Sequence, residues 1–144
     1  MEELTFRHSL PIQLRFNDVD KFGHVNNSVY FSYYDLGKTE YFTTVRPDLD
    51  WEKEGIVVVH IEVDFLAQIF ATDPITVETT VAEIGTKSMK LIQRVVDNKG
   101  EVKCVCQSIL VAFNLEKHES QEISEEWIES ISAYERRDVR KKKG

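Results

Sequence analysis

Apolar and polar positions alternate along most of this chain, and the alternation is interrupted by one long aromatic-rich segment. From Leu10 the run Leu10-Pro11-Ile12-Gln13-Leu14-Arg15-Phe16-Asn17 has the period of two of a half-buried strand, with Pro11 near its start. A strand is therefore expected over 8–17, followed by a loop over 18–27. Between Ser28 and Val45, the residues Val29, Tyr30, Tyr33, Leu36, Gly37, Glu40 and Tyr41 recur mostly at helical spacing. Phe31, Tyr34 and Phe42 add apolar surface on other faces, so the predicted helix is wrapped by other structure. Pro47 ends the region.

Alternation returns in four runs, 56–70, 74–84, 87–97 and 101–115. Gly85-Thr86 and Asn98-Lys99-Gly100 are short turn connections, which imply an antiparallel meander. A last acidic segment, Ser124 to Tyr134, carries Trp127, Ile128 and Ile131 at helical spacing behind a Ser124 cap. The predicted order is β, α, β, β, β, β, α. It describes an α+β protein in which one long helix packs on one antiparallel sheet.

Composition narrows the class. A chain of 144 residues fits one domain, and 42% hydrophobic residues with 30% charged ones provide both a core and a soluble surface. No apolar run reaches the roughly 18 residues of a membrane helix. The acidic N-terminus lacks the basic and apolar regions of a secretory signal, so a cytoplasmic location is expected. The formal charge of -7 argues against nonspecific binding to nucleic acid. That charge is uneven, because residues 134–144 hold six Lys/Arg and two acids, a local +4. This basic tail, 135–144, reads as a solvated, frayed end, with polyanion binding as the lesser reading. Cys104 and Cys106 should share one strand face, poorly placed for a disulfide with each other.

Candidate chemistry sits in the loop before the helix, Asp18-Val19-Asp20-Lys21-Phe22-Gly23-His24-Val25-Asn26-Asn27-Ser28-Val29-Tyr30. It sets a carboxylate a few residues before a helix start, where backbone N–H groups are free and the dipole is positive. A carboxylate beside such donors can attack, or activate water against, a carbonyl whose oxygen they polarise. A calcium loop does not fit, because Phe22 and Val29 fall where oxygen ligands belong. Asp18 is expected to bond loop N–H groups or Arg15, and Asn26 is a good N-cap. Gly23 allows unusual dihedrals and a close approach.

Arg15-Phe16-Asn17-Asp18-Val19-Asp20, Gly23-His24-Val25-Asn26-Asn27 and Tyr30, together with Val63-Asp64-Phe65-Leu66-Ala67, resemble the hotdog-fold thioesterases. The likeness is to their 4-hydroxybenzoyl-CoA thioesterase/YbgC-like branch and runs from about residue 8 to 131. It implies a hotdog fold, an antiparallel sheet wrapped around a central helix. It also implies homodimers that often pair into tetramers, with sites at the dimer interface and coenzyme A reaching across from the neighbouring subunit. The activity it implies is hydrolysis of an acyl-CoA thioester, with no cofactor and no metal beyond the coenzyme A of the substrate.

By this resemblance Asp20 is the nucleophile or general base, and the Asn27 backbone N–H is the oxyanion donor. His24 either orients the site or is structural, and both readings stay open. Gly23, Asn26 and Tyr30 would line the substrate site. Thr86, Lys87 and Ser88, which open the fourth run after a turn, would meet the coenzyme A phosphates or pantetheine; an ordinary solvated turn is the alternative. Two departures stand out. Gln68 replaces a common Pro, and Lys21-Phe22 replaces a Pro-Ala pair, which points away from a dedicated 4-hydroxybenzoyl substrate. The rival readings are an acyl-carrier-protein thioesterase and a noncatalytic acyl-CoA-binding hotdog domain, with a hotdog dehydratase behind them.

Overall fold

A computed structural model describes residues 4–142. β1 (His8–Ile12) leads through a 3-10 turn at Phe16–Asp18, a loop and a second 3-10 turn at Asn27–Val29 into α1 (Tyr30–Val45). β2 (Glu54–Phe65), β3 (Ile75–Ile84), β4 (Ser88–Asp97) and β5 (Val102–Asn114) follow, then a short β6 (Glu119–Ser120) and α2 (Glu125–Glu135). All strands pair antiparallel in one sheet of order β1-β3-β4-β5-β2, with β6 on β5. The sheet curls around α1, and the fold is the α+β hotdog arrangement.

Alternation in β3, β4 and β5 puts every second side chain under α1. Val77, Leu91, Val95, Cys104, Cys106 and Leu110 are buried on that face. Both cysteines are free. The N-terminal half of α1 packs Tyr30, Tyr33 and Tyr34 against Ile69, Val77 and the two cysteines. The C-terminal half packs Tyr41 and Phe42 with Val81, Leu110 and, from α2, Trp127 and Ile131. Between the two clusters α1 comes down on the sheet at Gly37, where an added Cβ would lie 2.7 Å from Val77 Cγ1. The buried Gln93 amide stitches helix to sheet there, donating to the Tyr34 carbonyl at 2.9 Å and to Thr79 Oγ1 at 3.1 Å.

One carboxylate ties the entry loop to this core. Asp18 is 1% exposed. Its Oδ2 accepts the Tyr33 hydroxyl at 2.8 Å and the Arg15 N–H at 3.0 Å, and its Oδ1 accepts Arg15 Nε at 3.1 Å. Burial pushes its pKa up, but these bonds and the Arg15 charge together hold it below the ordinary 3.8.

Several expectations need correction. The four central runs are not a simple meander. β3, β4 and β5 are sequential neighbours, but β2 crosses to the far edge beside β5. A period of two shows which face a side chain takes and nothing about the partner strand. The strand expected over 8–17 stops at Ile12, because Arg15 and Asp18 close a 3-10 turn; the run from 56 stops at Phe65. The basic tail is not frayed over 136–142. Val139 is buried in the α2 cluster, and its backbone bridges Ile84. Residues 143–144 lie outside the described residues.

Two stability outcomes follow. Gly37→Ala should lower unfolding free energy by about 1–3 kcal/mol in urea titration, because Val77 clashes; helix propensity alone predicts a gain of about 1 kcal/mol. Asp18→Asn should cost about 2 kcal/mol at neutral pH, from lost charge-assisted bonds. Because the folded pKa is depressed, Asp18 stabilises fully above its ordinary 3.8 and loses that contribution as pH falls through the lower folded value. The gap between wild type and Asp18→Asn should therefore narrow below about pH 4.

Candidate active site

The loop after Asp18 is closed by its own backbone. Asn26 N–H donates to the Asp18 carbonyl at 2.9 Å, and Asp20 N–H donates to the His24 carbonyl at 2.8 Å. Gly23 N–H donates back to the Asp20 carbonyl at 3.0 Å, making a tight turn over 20–23. Gly23 sits at φ +82°, a conformation that glycine takes without a Cβ penalty. Nothing lies within 4 Å of where its Cβ would be, so the dihedral and not a close contact with this chain requires glycine. The β2–β3 connection buttresses the loop from behind: Val25 N–H donates to the Ile69 carbonyl at 2.8 Å, and Ala71 N–H donates to the Gly23 carbonyl at 3.3 Å.

Asp20 is oriented by this turn. Its Oδ1 accepts the Phe22 N–H at 2.9 Å and the His24 N–H at 3.3 Å. Its Oδ2 has no donor among the described residues, so one carboxylate oxygen is anchored while the other stays available. Asp18 and Asp20 thus differ in kind. The first is buried and satisfied on both oxygens; the second is exposed and half-satisfied.

Asn26 caps the turn that starts the helix. Its Oδ1 accepts Ser28 N–H at 3.2 Å, and its carbonyl accepts Val29 N–H at 2.9 Å. Asn27 is the first residue of that turn, where the N–H has no intrahelical acceptor. With Ser28 and Val29 engaged, the Asn27 N–H is the donor left over at the mouth of the helix. The helix proper begins at Tyr30, so Asn27 opens the 3-10 turn and not α1 itself.

Asp20, His24, Asn26, Asn27 and Tyr30 line one open cleft of about 550 Å³ with Phe22, Phe65, Leu66 and Gln68. Tyr30 is buried and forms its floor, with its ring edge-on to Phe65 at 5.1 Å. Burial pushes the Tyr30 phenol up to about 12, so it stays neutral across the physiological range. The His24 ring stacks edge-on against Phe70 at 4.9 Å, and only its backbone N–H reaches Asp20. Phe70 therefore sets the His24 ring, while Asp20 is set by main chain.

Thr86, Lys87 and Ser88 are not brought to this cleft. They line a second one of about 1140 Å³, between the β3–β4 turn, α2 and the tail, and the two share no lining residue. Phe65, Leu66 and Gln68 were missed as site residues. The signal was present, because the segment Val63–Ala67 belongs to the same likeness as the loop. Among the described residues no three His, Cys, Asp or Glu side chains converge as a metal-ligand set, and no helix is long and apolar enough to cross a membrane.

Comparison with known proteins agrees with this architecture. A thioesterase from Thermus thermophilus, solved with coenzyme A and zinc, superposes with a TM-score of 0.81 at 33% identity, covering 92% of this chain and 96% of that one. YbgC of Haemophilus influenzae, an acyl-CoA thioesterase, is 26% identical over 107 residues, 68% of this chain and 79% of its own. YsmA of Bacillus subtilis is 25% identical over 80 residues; that match spans 56% of this chain and only 54% of YsmA. The family profile described as the Thioesterase-like superfamily matches residues 14–131, and the chain belongs to that superfamily.

Proposed function

We propose that this protein hydrolyses acyl-CoA thioesters to a free carboxylic acid and coenzyme A, with Asp20 as nucleophile or general base. The observation that carries the reading is the pairing, in one cleft, of a half-free Asp20 carboxylate with the uncommitted Asn27 N–H. A thioester carbonyl in this cleft accepts the Asn27 N–H, and the positive helix end favours the charge that grows on its oxygen. Asp20 then attacks the carbonyl carbon, or takes a proton from the water that does. The thiolate of coenzyme A leaves; in the nucleophilic route water then hydrolyses the acyl-Asp20 anhydride, which releases the carboxylic acid and restores the carboxylate. The family membership and the acyl-CoA thioesterase activity of YbgC support this assignment over a noncatalytic binding domain. The coenzyme A held by the Thermus thermophilus relative favours coenzyme A over a carrier protein as the thiol carrier.

The working unit in this reading is a homodimer. β2 is a 12-residue edge strand that leaves Val57, Val58, Val59 and Ile61 exposed, the kind of margin that proteins cover. A second copy pairing along β2 covers it and joins two sheets edge to edge. The coenzyme A moiety then lies across protomers, with Thr86, Lys87 and Ser88 receiving it outside the Asp20 cleft. Pairing of dimers into a tetramer belongs to the same proposal.

Substitutions at three positions test this reading. Asp20→Asn should cut kcat for acyl-CoA by at least about 100-fold with an unchanged circular dichroism spectrum; equal turnover removes Asp20 from the chemistry. The Asn26 backbone, at ψ 133°, suits a following proline, so Asn27→Pro deletes the N–H without breaking the turn. It should lose about 100- to 1000-fold in kcat, far more than Asn27→Ala, which keeps the donor. Ile61→Glu should shift the protein toward monomer in light scattering and lower activity in step.

A further inference from the structure

The residues after α2 do more than end the chain. Arg136 turns the chain out of the helix at φ 57°. Arg137 then donates its guanidinium to the carbonyls of Val81 and Ala82, at the bulge where the β3–β4 register shifts between Val81 and Glu83. Val139, 1% exposed, plugs into the α2 cluster. Ile84 N–H donates to the Val139 carbonyl at 2.7 Å, and Lys141 N–H donates to the Ile84 carbonyl at 2.8 Å, a parallel bridge between Ile84 and Arg140. The segment is a strap laid along the end of β3. It lies outside residues 14–131, the span matched by the family profile.

The strap brings Arg140, Lys141 and Lys142 to the rim of the larger cleft, opposite Lys87 and Lys90. Glu83 and Glu125 are the acids that line the cleft among these five cations, and Asp138 beside it also pairs with Arg140 at 3.3 Å, on a chain of net charge -7. Each acid is already engaged: Glu125 holds Arg140 at 3.0 Å, and Glu83 lies 3.7 Å from Lys90. Lys87 and Lys141 have no carboxylate partner among the described residues. The Thr86 and Ser88 hydroxyls stand beside them on the turn. Ile109 and Ile128 supply an apolar floor. A cationic rim over an apolar floor fits a flat heterocycle that carries phosphates.

We propose that the strap of residues 136–142 is a phosphate-recognition arm, which with the Thr86–Ser88 turn holds the phosphorylated nucleotide end of the coenzyme A thioester. The proposal rests on the acyl-CoA reading above for the identity of the ligand, and it adds the strap, with Lys141 as its recognition residue. Docking of Val139 and Arg137 fixes the arm, so the cations arrive already positioned and lose little freedom on binding. A polynucleotide fits this place poorly, because the rest of the chain is strongly acidic and repels a long phosphate backbone.

The test is titration calorimetry of the full chain with the 3′-phospho-ADP fragment of coenzyme A, alongside acyl-CoA kinetics. Wild type should bind the fragment, and Lys141→Glu should weaken it by about tenfold, with the difference shrinking as salt is raised. Lys141→Gln should weaken it less, and Lys117→Glu, on the β5–β6 turn and outside the lining of the cleft, should bind like wild type. In kinetics Lys141→Glu should raise KM for acyl-CoA and leave kcat in place. Equal fragment affinity in wild type and Lys141→Glu overturns the proposal, as does adenosine binding as tightly as the phosphorylated fragment. Hydrolysis with a KM indifferent to Lys141→Glu overturns the strap alone. Fragment binding that depends on Lys141, without hydrolysis of any acyl-CoA, supports the strap and sinks the hydrolase reading instead.

Discussion

The buried Asp18 carboxylate is the constraint from which the site takes its shape. A lone carboxylate in an apolar core is costly, and this one persists because three donors converge on it: the Arg15 N–H, the Arg15 guanidinium and the Tyr33 hydroxyl. Those donors come from both sides of the loop, two from Arg15 before it and one from the first turn of the helix after it. Asp18 therefore fixes the start of α1 relative to the end of the β1 connection. Its own carbonyl then receives Asn26 N–H, which closes the loop onto the helix start. Asp20, two residues along, inherits a fixed place relative to the Asn27 N–H without a packing contact of its own. Asp20 is positioned by main-chain bonds in register with a buried anchor two residues away.

The anchor works because α1 is itself tied to the sheet. Gly37 lets the helix lie directly on Val77 and Thr79, and Gln93 bonds the helix backbone from the sheet. The aromatic clusters on either side of that contact serve different ends. The Tyr30 and Tyr33 cluster carries the floor of the Asp20 cleft and the partner of Asp18. The Tyr41 and Trp127 cluster carries α2 and the strap. A single helix thus packs into both clusters, although the two clefts share no lining residue.

Sequence periodicity is a good guide to what each segment is and a poor one to what it touches. The long helix, the alternating strands and the Ser124 cap are all legible, because each depends on spacing within a few residues. The crossover of β2 to the far edge is not, since an apolar run reads alike beside β3 or beside β5. The loop from Asp18 to Asn27 is legible as a site because its residue types are unusual together, and the structure does gather Asp20, His24, Asn26, Asn27 and Tyr30. Phe65 and Gln68 reach the same cleft only through the β2–β3 connection, a contact that no local spacing encodes. The strap escapes a sequence reading for a physical reason. A run of cations suggests solvation, yet one valine inside it and one guanidinium facing two open carbonyls are enough to dock it.

In the proposed reaction the two clefts divide the work along a chemical line. The reacting groups proposed at Asp20 are one carboxylate oxygen and one backbone N–H, and neither recognises anything beyond a carbonyl carbon and its oxygen. Such equipment is indifferent to the acyl group and to the thiol carrier. Discrimination must therefore come from side chains that take no part in bond making. For the acyl group the candidates are Phe22, Phe65, Leu66 and Gln68 at the cleft walls. For the carrier the proposed ones are the cations that the strap and the β3–β4 turn bring to the second cleft. Main-chain geometry is hard to vary without losing the fold, whereas exposed cleft walls and the exposed cations of the strap vary at little cost to stability. A scaffold arranged this way keeps its reaction fixed while its substrate is free to change.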